Sequence, residues 1–232
     1  MKEGQHEVDK NLILYYNSVM NDIKNRSEVI YDVHKKSEFN KEKDLKHLEF
    51  ITGHLLTDIE LGSVQLRKIL ELILISSLVA NKKEYERLSI DIDRNWIYKR
   101  KLNEIKKLNP NYFPERLFYI YSDSTRAIDK PYITTLSNDK MLNEEELYEA
   151  HSFASMYLHA QSPFKPQLTY ENVQEFYHKL KEYIDKIMNL LTYHRVILCD
   201  GNMIKCDIYN INIITNKMGI ETTFLKYNRP IK

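Results

Sequence analysis

Glycine is scarce in this chain, with five in 232 residues. So few unrestricted backbone positions argue against Gly-rich phosphate loops and against barrels or sandwiches with many tight turns. Neither G-x-x-x-x-G-K-[ST] nor G-x-G-x-x-G occurs, which leaves the familiar nucleotide-binding folds without support. Two cysteines cannot frame a disulfide scaffold or a cysteine-based zinc site. Long apolar runs are also missing. The longest, 69–80, is interrupted by Glu71, Ser76 and Ser77 and is too short to cross a bilayer. Charge of one sign is lacking too: 34 Lys and Arg stand against 33 Asp and Glu, a net charge of +1. That balance excludes a uniformly basic surface and leaves room only for a local patch. The polar first ten residues hold no signal core, and the last residues hold no lipidation box. Together with unpaired cysteines, these features set the expectation of a cytoplasmic protein with no membrane partner.

What the sequence does contain is helical periodicity. Hydrophobic residues make up 43% of the chain, enough for a core. Leu12, Tyr15, Tyr16, Val19, Ile23, Ile30 and Val33 recur at helical spacing and predict a first helix over 8–33. A second segment starts near Asp44 and carries Leu48, Ile51, Leu55, Ile59, Leu66, Ile69, Leu70, Ile73 and Leu74. Gly53 and Gly62 inside it each cost about 1 kcal/mol relative to Ala, so a kinked helix or two helices meeting near Gly62 are expected. Residues 69–79 are apolar nearly all round, the pattern of a central bundle helix. A helix over 85–108 should end before Pro110. Residues 109–137, rich in proline and aromatics, read as a long irregular segment of the kind used for function. Asn143, with Glu144, Glu145 and Glu146 behind it, is a helix start; that helix should reach Gln161. Another spans 170–192.

After His194 the texture changes. Apolar runs flank Asp200-Gly201-Asn202, a strong hairpin signal, and a weaker one centres on Met218-Gly219. The expected fold is mainly α: a helical bundle over 1–194 with a small C-terminal antiparallel β-hairpin element, 195–232, packed on it. Cys199 and Cys206 fall on that hairpin as small apolar residues.

Metal chemistry finds little footing. Asp91-Ile92-Asp93 opens like a calcium loop, but Trp96 and Leu102 occupy the positions that need Gly and Glu. His54/Asp58 and His178/Glu182 share helix faces at i,i+4, yet each is half a site, and no H-x-x-x-H occurs. No metal site and no cofactor are expected. Charge is patterned: residues 61–116 hold 12 basic and 7 acidic groups, and the flanking segments 1–60 and 117–194 are net acidic. Within the basic segment Lys99, Arg100, Lys101, Lys106 and Lys107 crowd around Trp96. Cations that bind phosphate beside an aromatic face that stacks on bases form a candidate RNA-binding surface.

Two segments carry a family likeness. They are Leu66-Arg67-Lys68-Ile69-Leu70-Glu71-Leu72-Ile73 on the central helix and Tyr157-Leu158-His159-Ala160-Gln161-Ser162-Pro163-Phe164 at a later helix end. In these the chain resembles bacterial proteins related to the HEPN superfamily, over about 45–180. The resemblance implies an up-and-down helical bundle that dimerises. It also implies a role in antiviral defence or toxin–antitoxin systems, often as a metal-independent endoribonuclease. The usual Arg and His four to six residues apart on one helix is absent: Tyr98, Lys99 and Arg100 stand where His should follow Arg94-Asn95. A cleaving site would therefore be assembled from different helices. Arg67 would stabilise phosphate, His159 would act as general acid/base, and Glu71 would orient one of them. The competing expectation is a non-catalytic interaction subunit that binds a partner protein, for instance one encoded in the same operon.

Overall fold

A computed structural model describes residues 3–38, 52–87, 97–120, 132–135, 139–158, 169–212 and 217–225. The protein is mainly helical. In chain order the elements are α1 (Glu3–Glu38), α2 (Leu55–Ala80), α3 (Lys82–Arg87), α4 (Tyr98–Leu108), β1 (Glu115–Ile120), β2 (Tyr132–Thr135), α5 (Glu144–Met156), α6 (Tyr170–Leu191), β3 (Tyr193–Ile197), β4 (Met203–Asn212) and β5 (Lys217–Leu225). Among the described residues no helix is long and apolar enough to cross a membrane. The chain forms two compact units. One comprises Met1–Asn21, Leu74–Met141 and Asn189–Lys232, the other Asp22–Ile73 and Leu142–Met188.

The second unit is helical. Ile23, Ile30 and Val33 from α1, Leu66, Ile69 and Ile73 from α2, Leu147 and Ala154 from α5, and Leu180, Ile184 and Ile187 from α6 are all essentially inaccessible. Their 3–4 spacing is the reason these segments are helices that pack. Phe176 is the aromatic centre, 5.6 Å from the Phe153 ring and 4.7 Å from Tyr157. Helix α2 is continuous through Gly62, where a kink or a junction of two helices was expected. A Cβ at that position would lie 2.7 Å from Leu180 Cδ2, so the glycine serves close approach of α6. Helix α5 starts with a full capping box. Asn143 Oδ1 accepts from the Glu146 amide at 2.9 Å, and Glu146 Oε2 accepts from the Asn143 amide at 3.1 Å. The helix ends at Met156, short of the expected Gln161.

The first unit carries a five-stranded sheet in the order β2-β1-β3-β4-β5, with every neighbouring pair antiparallel. The β3–β4 hairpin turns at the expected place, with Gly201 at φ 81°. Strands are not confined to the residues after 194, however. β1 and β2 lie in the segment read as irregular; Pro114 immediately precedes β1 instead of interrupting it. β5 runs straight through Met218-Gly219, with Gly219 paired to Asn210, so the second hairpin does not turn there. Ile97 is extended (φ −104°, ψ 112°) and α4 begins afresh at Tyr98, which replaces the single helix expected over 85–108. Val196, Leu198, Ile204, Cys206 and Ile208 point into the core of this unit. Their alternation with half-exposed neighbours is what a one-sided sheet requires.

Candidate functional site

The second unit brings together three polar side chains around one carboxylate. Arg67, Lys68 and Glu71 project from successive turns of α2, since i,i+3 and i,i+4 positions share a face. Arg67 Nε lies 3.0 Å from Glu71 Oε1, and Lys68 Nζ lies 3.3 Å from Oε2. From α5, His151 brings Nε2 to 4.0 Å from Glu71 Oε1, an ion-pair distance and longer than a hydrogen bond. His151, Arg67 and Lys68 hold the Glu71 carboxyl down at about 2, against the opposing effect of burial. Glu71 is thus ionised at any physiological pH.

Exposure orders the cluster. The side chains of Lys68 and Arg67 are 53% and 38% exposed, those of His151 and Glu71 12% and 10%. Two cations face solvent in front of a recessed carboxylate and imidazole. With His151 neutral the four groups carry one net positive charge, which suits a phosphodiester. The recessed imidazole is the side-chain type most often used to accept and return a proton in catalysis.

Of the three residues expected to form a cleaving site, Arg67 and Glu71 are in contact, while His159 lies outside the described residues. His151 was missed by the sequence reading. Its signal was weak: it follows Leu147 by four residues and precedes Ala154 by three, which sets it at the edge of a buried stripe. No local motif links it to Glu71, because the contact joins α5 to α2.

The expected RNA-binding cations are on α4, in the first unit. Lys99, Arg100, Lys106 and Lys107 are exposed, and Trp96 lies outside the described residues. Lys101 is instead buried at 4% exposure, beside Tyr98 and Ile105, with its ammonium 3.2 Å from Glu104. Arg100 also binds Glu104, at 3.0 Å. Helix α4 therefore presents less free positive charge than the sequence count implies.

The paired histidines resolve as surface or structural features. His54 and His178 are exposed. Buried Asp58 accepts from Thr52 N and Oγ1, and Glu182 pairs with Lys186. Among the described residues no group of three or more His, Cys, Asp or Glu side chains could hold a metal ion. Both cysteines are free thiols, Cys206 buried in β4 and Cys199 exposed in the turn before it. Compared with known proteins, the chain matches no family model, no curated protein and no solved structure.

Proposed function

We propose that this protein is an RNA-directed component of a bacterial defence or toxin–antitoxin system. It resembles HEPN proteins in that role and works as a cytoplasmic, metal-independent endoribonuclease. The observation that supports this reading is the grouping of Arg67, Lys68 and His151 around Glu71. Arg67 and Lys68 take the phosphodiester from solvent as charge-assisted donors. Neutral His151 removes the proton of the ribose 2′-hydroxyl, the 2′-oxygen bonds to phosphorus, and the bond from phosphorus to the 5′-oxygen breaks. The departing 5′-oxygen takes a proton from water. Glu71 stabilises the imidazolium that forms. His151 takes over the acid/base role that the sequence assigned to His159.

The test is incubation of a single-stranded RNA with the full chain in EDTA. Products should end in a 2′,3′-cyclic phosphate and begin with a 5′-hydroxyl. His151→Ala should lower the rate by about 10²–10⁴-fold while binding persists. If His151→Ala cuts as fast as the parent protein, the assignment fails; if His159→Ala alone abolishes cutting, the acid/base role returns to His159.

A second reading, a non-catalytic subunit that binds a partner protein or a second copy of this chain, is favoured by exposed apolar side chains. Leu14, Leu56 and Met156 are each more than half exposed, surface that association would cover. Sedimentation of the purified chain decides self-association. RNA binding without cutting, or no RNA binding at low salt, would leave this reading standing.

A further inference from the structure

The first unit contains a partly open cavity of about 380 Å³, at the lower end of the roughly 300–1,000 Å³ typical of small-molecule sites. Its walls come from α1, the C-terminal end of α2, α3, the β3–β4 turn and β5. The apolar lining is Leu12, Val79, Ala80, Leu198 and Phe224, with the half-exposed ring of Tyr15 at the side. Three of these, Leu12, Val79 and Phe224, are only partly covered by the protein itself. An occupant with an apolar body would remove that surface from water.

The charged residues of the lining bear on the head group of an occupant. Glu84 is engaged by Arg87 at 2.9 Å. Glu86 is engaged by Lys82 at 3.6 Å, and the same ammonium sits 5.5 Å from the centre of the Tyr15 ring. Asp200 accepts from the Asn202 amide at 2.9 Å and from Asn202 Nδ2 at 2.7 Å. Asn81 is used at both ends, donating to Ser77 O and accepting from the Cys199 amide. Lys83 differs: it is exposed, lines the cavity and makes no ion pair among the described residues. Glu84 and Glu86 thus have cationic partners, Asp200 is hydrogen-bonded but keeps its charge, and Lys83 is the lining cation with no ion pair among the described residues.

We propose that this cavity binds a small amphipathic anion, its apolar body against Leu12, Val79, Leu198 and Phe224 and its acidic head on Lys83. The site is separate from the cluster at Glu71 and does not depend on the RNA reading.

The experiment is a fluorescence titration of the full chain with 8-anilinonaphthalene-1-sulfonate, an apolar aromatic body with one sulfonate. N-phenyl-1-naphthylamine serves as the neutral counterpart. Saturable binding at one site per chain is expected, with an unchanged near-UV circular dichroism spectrum. Lys83→Glu, at an exposed position, should weaken the sulfonate about tenfold, the scale of one partly solvated charged contact, and leave the neutral probe unaffected. Val79→Trp should fill the cavity and abolish binding of both. Absence of saturable binding overturns the proposal. So does sulfonate binding that ignores both substitutions, which would place the probe elsewhere. Equal loss of both probes in Lys83→Glu would remove the anionic head from the assignment.

Discussion

The hydroxyl of Tyr16 and Nε2 of His194 are 2.8 Å apart, across 178 residues of chain, and both side chains are fully buried. On its other side His194 Nδ1 lies 2.7 Å from the Leu191 carbonyl oxygen. A carbonyl only accepts, so Nδ1 carries the proton and Nε2 is left to accept from Tyr16. The ring is thereby held neutral with both nitrogens satisfied. Burial, aided by the nearby Arg116 guanidinium and opposed by the Leu191 carbonyl, pushes its titration down to about 4.

Because His194 titrates at about 4 in the folded protein and near 6.5 when unfolded, the unfolded state binds the extra proton first. Stability is therefore full above about pH 6.5 and falls as pH drops toward 4, by up to about 3 kcal/mol from this group. Urea unfolding between pH 7 and 4 should show that slope, and His194→Gln should flatten it. Tyr16→Phe should cost about 1–3 kcal/mol at pH 7, by leaving a buried nitrogen without its donor.

Glu71 acts in a lower window. Its carboxyl is held at about 2 against an ordinary value near 4.3. Its contribution is present above about pH 4.5 and lost as pH falls through 2. Glu71→Gln should lower the unfolding midpoint at pH 7 and leave it nearly unchanged at pH 2. An equal loss at both pH values would mean that packing, not charge, is what Glu71 supplies.

At Gly62 two effects oppose each other. Alanine gains about 1 kcal/mol of helix propensity, but its Cβ collides with buried Leu180, and overpacking typically costs about 1–3 kcal/mol. Gly62→Val should destabilise more than Gly62→Ala. Leu180→Ala combined with Gly62→Val should recover at least about 0.5 kcal/mol relative to the sum of the single changes. A purely additive double mutant, measured by thermal melting, would contradict the close approach.

Lys101 should behave unlike its basic neighbours. Its ammonium is buried beside Glu104, so it has no phosphate to neutralise. If α4 binds RNA, Lys107→Gln should reduce the salt slope of binding by about 1, whereas Lys101→Met should leave the slope alone and change only stability. A reduced slope in Lys101→Met would place that ammonium on the nucleic acid.

Helix α5 offers a smaller check. Asn143→Ala removes one side of its capping box and should cost about 1 kcal/mol, as N-cap deletions usually do. Asn143→Ser should restore most of that.

Local pattern carried much of this fold. The 3–4 spacing of apolar residues marks α1, α2 and α6, Asn143 and the three glutamates behind it mark the start of α5, and Asp200-Gly201 marks the β3–β4 turn. Each of these signals is written within a few residues, because backbone hydrogen bonding and capping are short-range. The same sequence determined that Arg67 and Glu71 share a helix face. Tertiary structure alone decided the rest. β1 was hidden behind Pro114, and what ties it and its neighbour β2 to the C-terminal strands is pairing with β3, 80 residues later at Glu115 and Arg195. Gly62 looked like a helix fault until Leu180 of α6 was packed against it. Lys101 counted as a surface cation until α4 turned it inward beside Tyr98 and Ile105. His151 had no link to Glu71 in any local motif. Which side chains meet across elements depends on how whole faces pack, and no short window of sequence encodes that choice.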